Sequence, residues 1–135
     1  MWIAWTTVTQ RADAARLAAD AVALGLASCA QIDGPIVSHY RWQGRPERAE
    51  EFRICFKFLP AQRAPLEKHL LAAHPYDTPE WIVVAAPHVG EKYLSWAVAN
   101  STFPPFHSSQ PSLLTPCPST KASKAPPASS SNATS

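Results

Sequence analysis

Between residues 51 and 58 hydrophobic and polar positions alternate without a slip. Phe52, Ile54, Phe56 and Phe58 fall on one face of an extended segment, and Glu51, Arg53, Cys55 and Lys57 on the other. A period of two belongs to a strand with one face on a core and the other toward water or another subunit. A second period, near 3.6, runs from Arg11 to Leu24, where Ala14, Leu17, Ala18, Ala21 and Leu24 form a helical stripe. Thr9 is placed to cap that helix and Gly25 to end it.

The other elements fall around these two. Trp2 to Thr7 is a β-prone run and predicts a first strand. Leu26 to Ile32 reads as a buried strand, broken or bulged by Gly34-Pro35. It resumes from Ile36 to Trp42, with Ile36, Ser38, Tyr40 and Trp42 on one face. Gln43-Gly44-Arg45-Pro46 supplies a hairpin turn into the alternating strand, which Pro60 ends. Pro65 suits the first turn of a helix striped by Leu66, Leu70 and Ala73. Trp81 to Ala86 predicts a strand, and Glu91 to Asn100 a short helix carrying Tyr93, Leu94 and Trp96. The order β-α-β-β-α-β plus a terminal helix predicts an α+β, ferredoxin-like domain: a four-stranded antiparallel sheet with helices on one face. The bare opposite face predicts oligomerisation.

Composition divides the chain. Residues 1–100 carry the periodic patterns, whereas residues 101–135 hold ten serines, seven prolines and no glycine or acidic residue. Such a stretch cannot bury enough surface to offset its chain entropy, so a disordered tail is expected there. Lys121 and Lys124 of the tail account for the whole net charge of +2. A neutral folded part argues against nucleic acid as a partner. No apolar run approaches the ~20 residues of a membrane span. Cys29, Cys55 and Cys117 are odd in number and form no CxxC, which fits a reducing compartment better than a disulfide framework.

Candidate chemistry gathers in three places. His74-Pro75-Tyr76-Asp77-Thr78-Pro79-Glu80-Trp81 packs two prolines, a histidine, a tyrosine and two carboxylates between a helix and a strand. Each proline fixes its own φ and pushes its predecessor out of the α region, so the segment aims His74, Tyr76 and Glu80 rigidly. Tyr40-Arg41-Trp42 lies near the hairpin tip, and Lys57 on a polar strand face suits an anionic ligand. For a soft divalent ion, thiolates and imidazoles are present, but no HxxxH or CxxC spacing marks a dedicated site. The chain has no glycine-rich phosphate loop, GxSxG or Ser-His-Asp order, so no catalytic residue is assigned.

Leu26-Ala27-Ser28-Cys29-Ala30-Gln31-Ile32, Tyr40-Arg41-Trp42-Gln43-Gly44, Lys57, His74-Pro75-Tyr76-Asp77-Thr78-Pro79-Glu80 and Tyr93-Leu94-Ser95-Trp96, in that order, closely resemble the CutA family of divalent-ion tolerance proteins. The resemblance implies a cytoplasmic homotrimer in which the long hairpin extends each sheet onto its neighbour. It implies tolerance of copper and other divalent metals, and an intersubunit cleft lined by Trp42, Lys57, Tyr76 and Glu80, with Tyr40 and Cys29 nearby. His74 and Cys29 are the metal ligands it suggests here. Bacterial members argued to bind copper carry a cysteine where this chain has Thr6, and two histidines where it has Ala73 and His74. A hydroxyl and a methyl do not replace a thiolate and an imidazole for a soft ion, so weak copper binding is expected. By analogy of fold, a PII-like trimer sensing a small anion is an alternative, as is a stable scaffold.

Overall fold

The computed structural model describes residues 1–101; the rest of the expected tail, with Cys117, lies outside the described residues. Four strands, β1 (Trp2–Val8), β2 (Cys29–Trp42), β3 (Arg45–Phe58) and β4 (Ile82–Ala85), form one sheet in the order β2-β3-β1-β4. Every neighbouring pair is antiparallel. Helices α1 (Arg11–Ala23) and α2 (Arg63–Ala73) make the two crossovers, and α3 (Glu91–Ala99) follows β4. This is the α+β, ferredoxin-like arrangement that the order of periodic segments predicts.

The two clean periods produce the core. Ala4 and Val8 of β1 and Ile54, Phe56 and Phe58 of β3 are buried against Ala14, Leu17, Ala18 and Ala21 of α1 and Leu66 and Leu70 of α2. Phe52 packs at the margin, with the Arg11 guanidinium 4.8 Å above its ring.

Four local expectations need correction. Gln10, not Thr9, occupies the N-cap of α1, and no side chain caps it. The strand expected from Leu26 starts at Cys29, because Leu26 belongs to the helix-ending turn. There Gly25 has φ 69°, Leu26 N–H donates to Ala21 C=O and Gly25 N–H to Val22 C=O, the Schellman pattern. The turn after Trp42 is two residues long, Gln43 and Gly44, with φ 49° and 78°, the left-handed pair that matches strand twist. Arg45 and Pro46 already belong to β3, paired with Trp42 and Arg41. Finally Glu51, expected on a face toward water or another subunit, is only 5% exposed within the single chain.

β1 pairs with β3 over Phe52–Phe58 alone. Ile36 to Trp42 and Arg45 to Glu51 therefore leave the sheet as a two-stranded arm. At its root the β2–β3 register shifts between Asp33 and Ile36, around the cis Gly34-Pro35 bond. Gly34 has φ +141°, and a Cβ there would meet Glu51 O and Phe52 Cδ1 at 2.9 Å. Beyond the shift, the even-numbered residues Ser38, Tyr40 and Trp42 of β2 lie toward the 74–80 segment.

Candidate functional site

His74 is the first residue past α2, where Pro75 forbids further helix. Its ring turns inward. The Tyr76 backbone N–H donates to Nδ1 at 3.0 Å, which places the ring proton on Nε2, and Nε2 donates to Thr6 Oγ1 at 3.0 Å. Burial, the dominant cause, lowers the imidazole pKa to about 4, while a backbone hydrogen bond at Thr7 and the Asp13 and Glu51 carboxylates act in the opposite direction. His74 is thus a neutral buried brace from α2 to β1, with no lone pair left over for a metal. Cys29 stands opposite Lys57, which itself pairs with Ile3, three residues along β1 from Thr6 and on the other face of the sheet. The two expected metal ligands are not brought together. Among the described residues, no group of three or more His, Cys, Asp or Glu side chains gathers.

Tyr76 points the other way from the same segment. Its hydroxyl donates to Glu51 Oε1 at 3.0 Å and accepts from Thr9 Oγ1, while Ser38 Oγ donates to Glu51 Oε2 at 2.7 Å. Donation through Thr9→Tyr76→Glu51 and from Ser38→Glu51 converges on the carboxylate. Burial, and secondarily the Glu51 charge, pushes the Tyr76 phenol well above its ordinary value. The Tyr40 phenol is raised by burial and then by Glu47 and Glu51. Both phenols therefore remain protonated donors.

These groups enclose a cavity of about 320 Å³ between the arm and the 74–80 segment. Tyr40, Trp42, Tyr76 and Glu80, four residues marked out by sequence, line it together with Thr7, Ser38, Glu51 and Thr78. Lys57 does not. Its Nζ lies 5.8 Å from the centre of the Tyr93 ring on α3, beyond the part of β3 that borders the cavity. Sequence reasoning missed Glu51, the most buried acid of the site. Counting back from the two-residue turn, which pairs Trp42 with Arg45, would have set Tyr40 opposite Glu47 and Ser38 opposite Ala49. The same count sets Ile36 opposite Glu51; the register shift at Gly34-Pro35 lies just beyond that pair, between Asp33 and Ile36.

Fold and site together define an α+β domain of ferredoxin-like topology with an aromatic, carboxylate-bearing cavity under a projecting hairpin. The family model described as CutA1 divalent ion tolerance protein matches residues 2–100, and the chain belongs to that family. The divalent-cation tolerance protein CutA of Escherichia coli (strain K12 / DH10B) is 35% identical over 94 residues, which cover 70% of this chain and 84% of the relative. Among solved structures, CutA from Synechococcus elongatus PCC7942 is 36% identical with a TM-score of 0.72, over 75% of this chain and 89% of that one. The periplasmic divalent cation tolerance protein CutA from Archaeoglobus fulgidus gives 26% identity and a TM-score of 0.72, over 76% of this chain and 100% of that one. Among the described residues no helix is long and apolar enough to cross a membrane.

Proposed function

We propose that this chain serves divalent-cation tolerance, copper included, as a non-catalytic binding protein that assembles as a homotrimer in the cytoplasm. The hairpin arm carries the assembly. A two-stranded ribbon is marginal by itself in water and needs a third strand or a packing surface. Val37 on the arm, Ile82 and Val84 on β4, and Trp96 and Val98 on α3 are exposed apolar side chains that a neighbouring subunit would cover. The free thiols Cys29 and Cys55 fit a reducing compartment.

Tolerance in this reading works through a bound ligand at the cavity rather than through capture of copper by His74 and Cys29. The engagement of both His74 ring nitrogens supports this choice. The anion-ligand alternative needs Lys57 to converge with Trp42, Tyr76 and Glu80, and within one chain Lys57 stands apart from them.

Light scattering on the eluting protein tests the assembly: three times the 14.7 kDa chain mass is expected, and a monomer mass would overturn it. Expression in Escherichia coli lacking its own CutA tests the role. Growth in elevated Cu(II) should be restored, and it should survive His74→Ala; failure to restore growth with folded trimer present would overturn the role.

A further inference from the structure

Glu51 is a carboxylate buried in a polar but uncharged shell. Its donors, Tyr76 and Ser38, are neutral hydroxyls. The ion pairs among the described residues, Arg16–Asp13 and Arg53–Asp33, do not include it. Buried charges are ordinarily paired or coordinated, because desolvating an ion without a counter-charge is costly. A second carboxylate, Glu80, borders the same cavity, and none of the described lining residues is Lys, Arg or His. The rest of the lining is the neutral Thr7, Ser38 and Thr78 and the aromatic side chains of Tyr40, Trp42 and Tyr76. Aromatic faces carry negative charge and attract cations.

We propose that the cavity between the arm and the 74–80 segment binds a small organic cation with a protonated amine, Glu51 and Glu80 supplying the counter-charge and Tyr40, Trp42 and Tyr76 the walls. Size separates this ligand from a bare metal ion. A space of about 320 Å³ fits a small organic molecule and is far larger than one ion needs. Ligand chemistry agrees, since aromatic rings are not metal ligands and the nitrogen and sulfur donors of a copper or zinc site are absent from the lining. The negative charge of these lining residues disfavours an anion. The inference rests on the cavity being the ligand site of the proposed function, and it adds the ligand's class. The two fall separately: the copper-growth assay judges the tolerance role, and direct binding judges the ligand.

Calorimetric titration of the full chain with putrescine, butanol, citrate and MgCl2 is the test. Putrescine should give saturable heat, while butanol and citrate should not. Glu51→Gln should weaken putrescine binding about tenfold or more, because the ammonium loses a desolvated partner. Trp42→Ala should weaken it roughly three- to tenfold. Circular dichroism establishes that each variant folds; should Glu51→Gln fail, Trp42→Ala and Glu80→Gln decide. No heat with putrescine, tighter binding of citrate, or unchanged affinity in the folded variants overturns the proposal. Heat from MgCl2 that putrescine cannot displace assigns the cavity to an inorganic cation and overturns it too.

Discussion

Thr6 Oγ1 and His74 Nε2 meet at 3.0 Å in the interior, a contact between residues 68 apart that ties β1 to the end of α2. These are two of the positions at which the family resemblance leads one to expect metal ligands. Here a hydroxyl faces an imidazole whose proton points at it. The same geometry that would suit a thiolate and an imidazole has become a structural hydrogen bond.

That substitution can be tested in reverse. Thr6→Cys combined with Ala73→His places a thiol and a second imidazole beside His74. Cu(II) titration should show tighter binding by the double variant than by the parent chain, since soft ions prefer these donors to a hydroxyl and a methyl. Equal affinity would show that Thr6 and Ala73 do not limit metal binding.

His74 also sets a pH dependence. Its imidazole has an ordinary value of 6.5 and is lowered by burial to about 4 in the folded chain. The unfolded chain therefore binds a proton over that interval while the folded chain does not. Stability is full above pH 6.5 and falls as pH drops toward 4. The charged neighbours that modulate this are Asp13, Arg16 and Glu51. The loss is on the order of 3 kcal/mol, and urea titrations across the interval should show it shrink in His74→Gln.

Tyr76→Phe keeps the ring and removes the hydroxyl that links Thr9 to Glu51. Glu51 would lose one of its two donors while still buried. The expected cost is about 1–3 kcal/mol in urea unfolding. It should fall to near zero in a Glu51→Gln background if the charge is what makes the donor matter.

Gly34→Ala addresses the bend at the root of the arm. An added Cβ would sit 2.9 Å from the Glu51 carbonyl oxygen, at a φ of +141° that other residues rarely adopt. Destabilisation of at least about 1 kcal/mol is expected. Thermal unfolding measures it, and an unchanged midpoint would mean the bend tolerates a side chain.

Much of this molecule was legible before any coordinates. The alternation from Glu51 to Phe58 and the stripe from Arg11 to Leu24 are dictated by burial on one side, so they named the core directly. The rigid segment at His74-Pro75 announced itself because two prolines restrict a loop that must cross the sheet edge. Thr9 was misjudged for a physical reason: a hydroxyl near a helix start reads as a cap, yet here it accepts a more distant role at Tyr76. Glu51 was misplaced because parity along β3 says only which face it lies on. Whether that face meets water is decided by Tyr76 of the 74–80 segment and Ser38 of β2, which meet the carboxylate, and neither contact is written in the residues of β3 alone. Lys57 was grouped with Tyr76 and Glu80 by resemblance, and within one chain its neighbour is Tyr93 instead.

The arm has a consequence for how much folded protein a cell can hold. β2 lies at the sheet edge, and β3 from Arg45 to Glu51 has no strand beside it other than β2 among the described residues. Backbone amides and carbonyls along both rims are therefore open to whatever extended chain arrives first. If sister subunits supply that chain, folded stability obeys mass action and rises with protein concentration. Dilution alone, with no change of temperature, pH or sequence, should then lower the melting point and expose the Gln43-Gly44 tip to proteases.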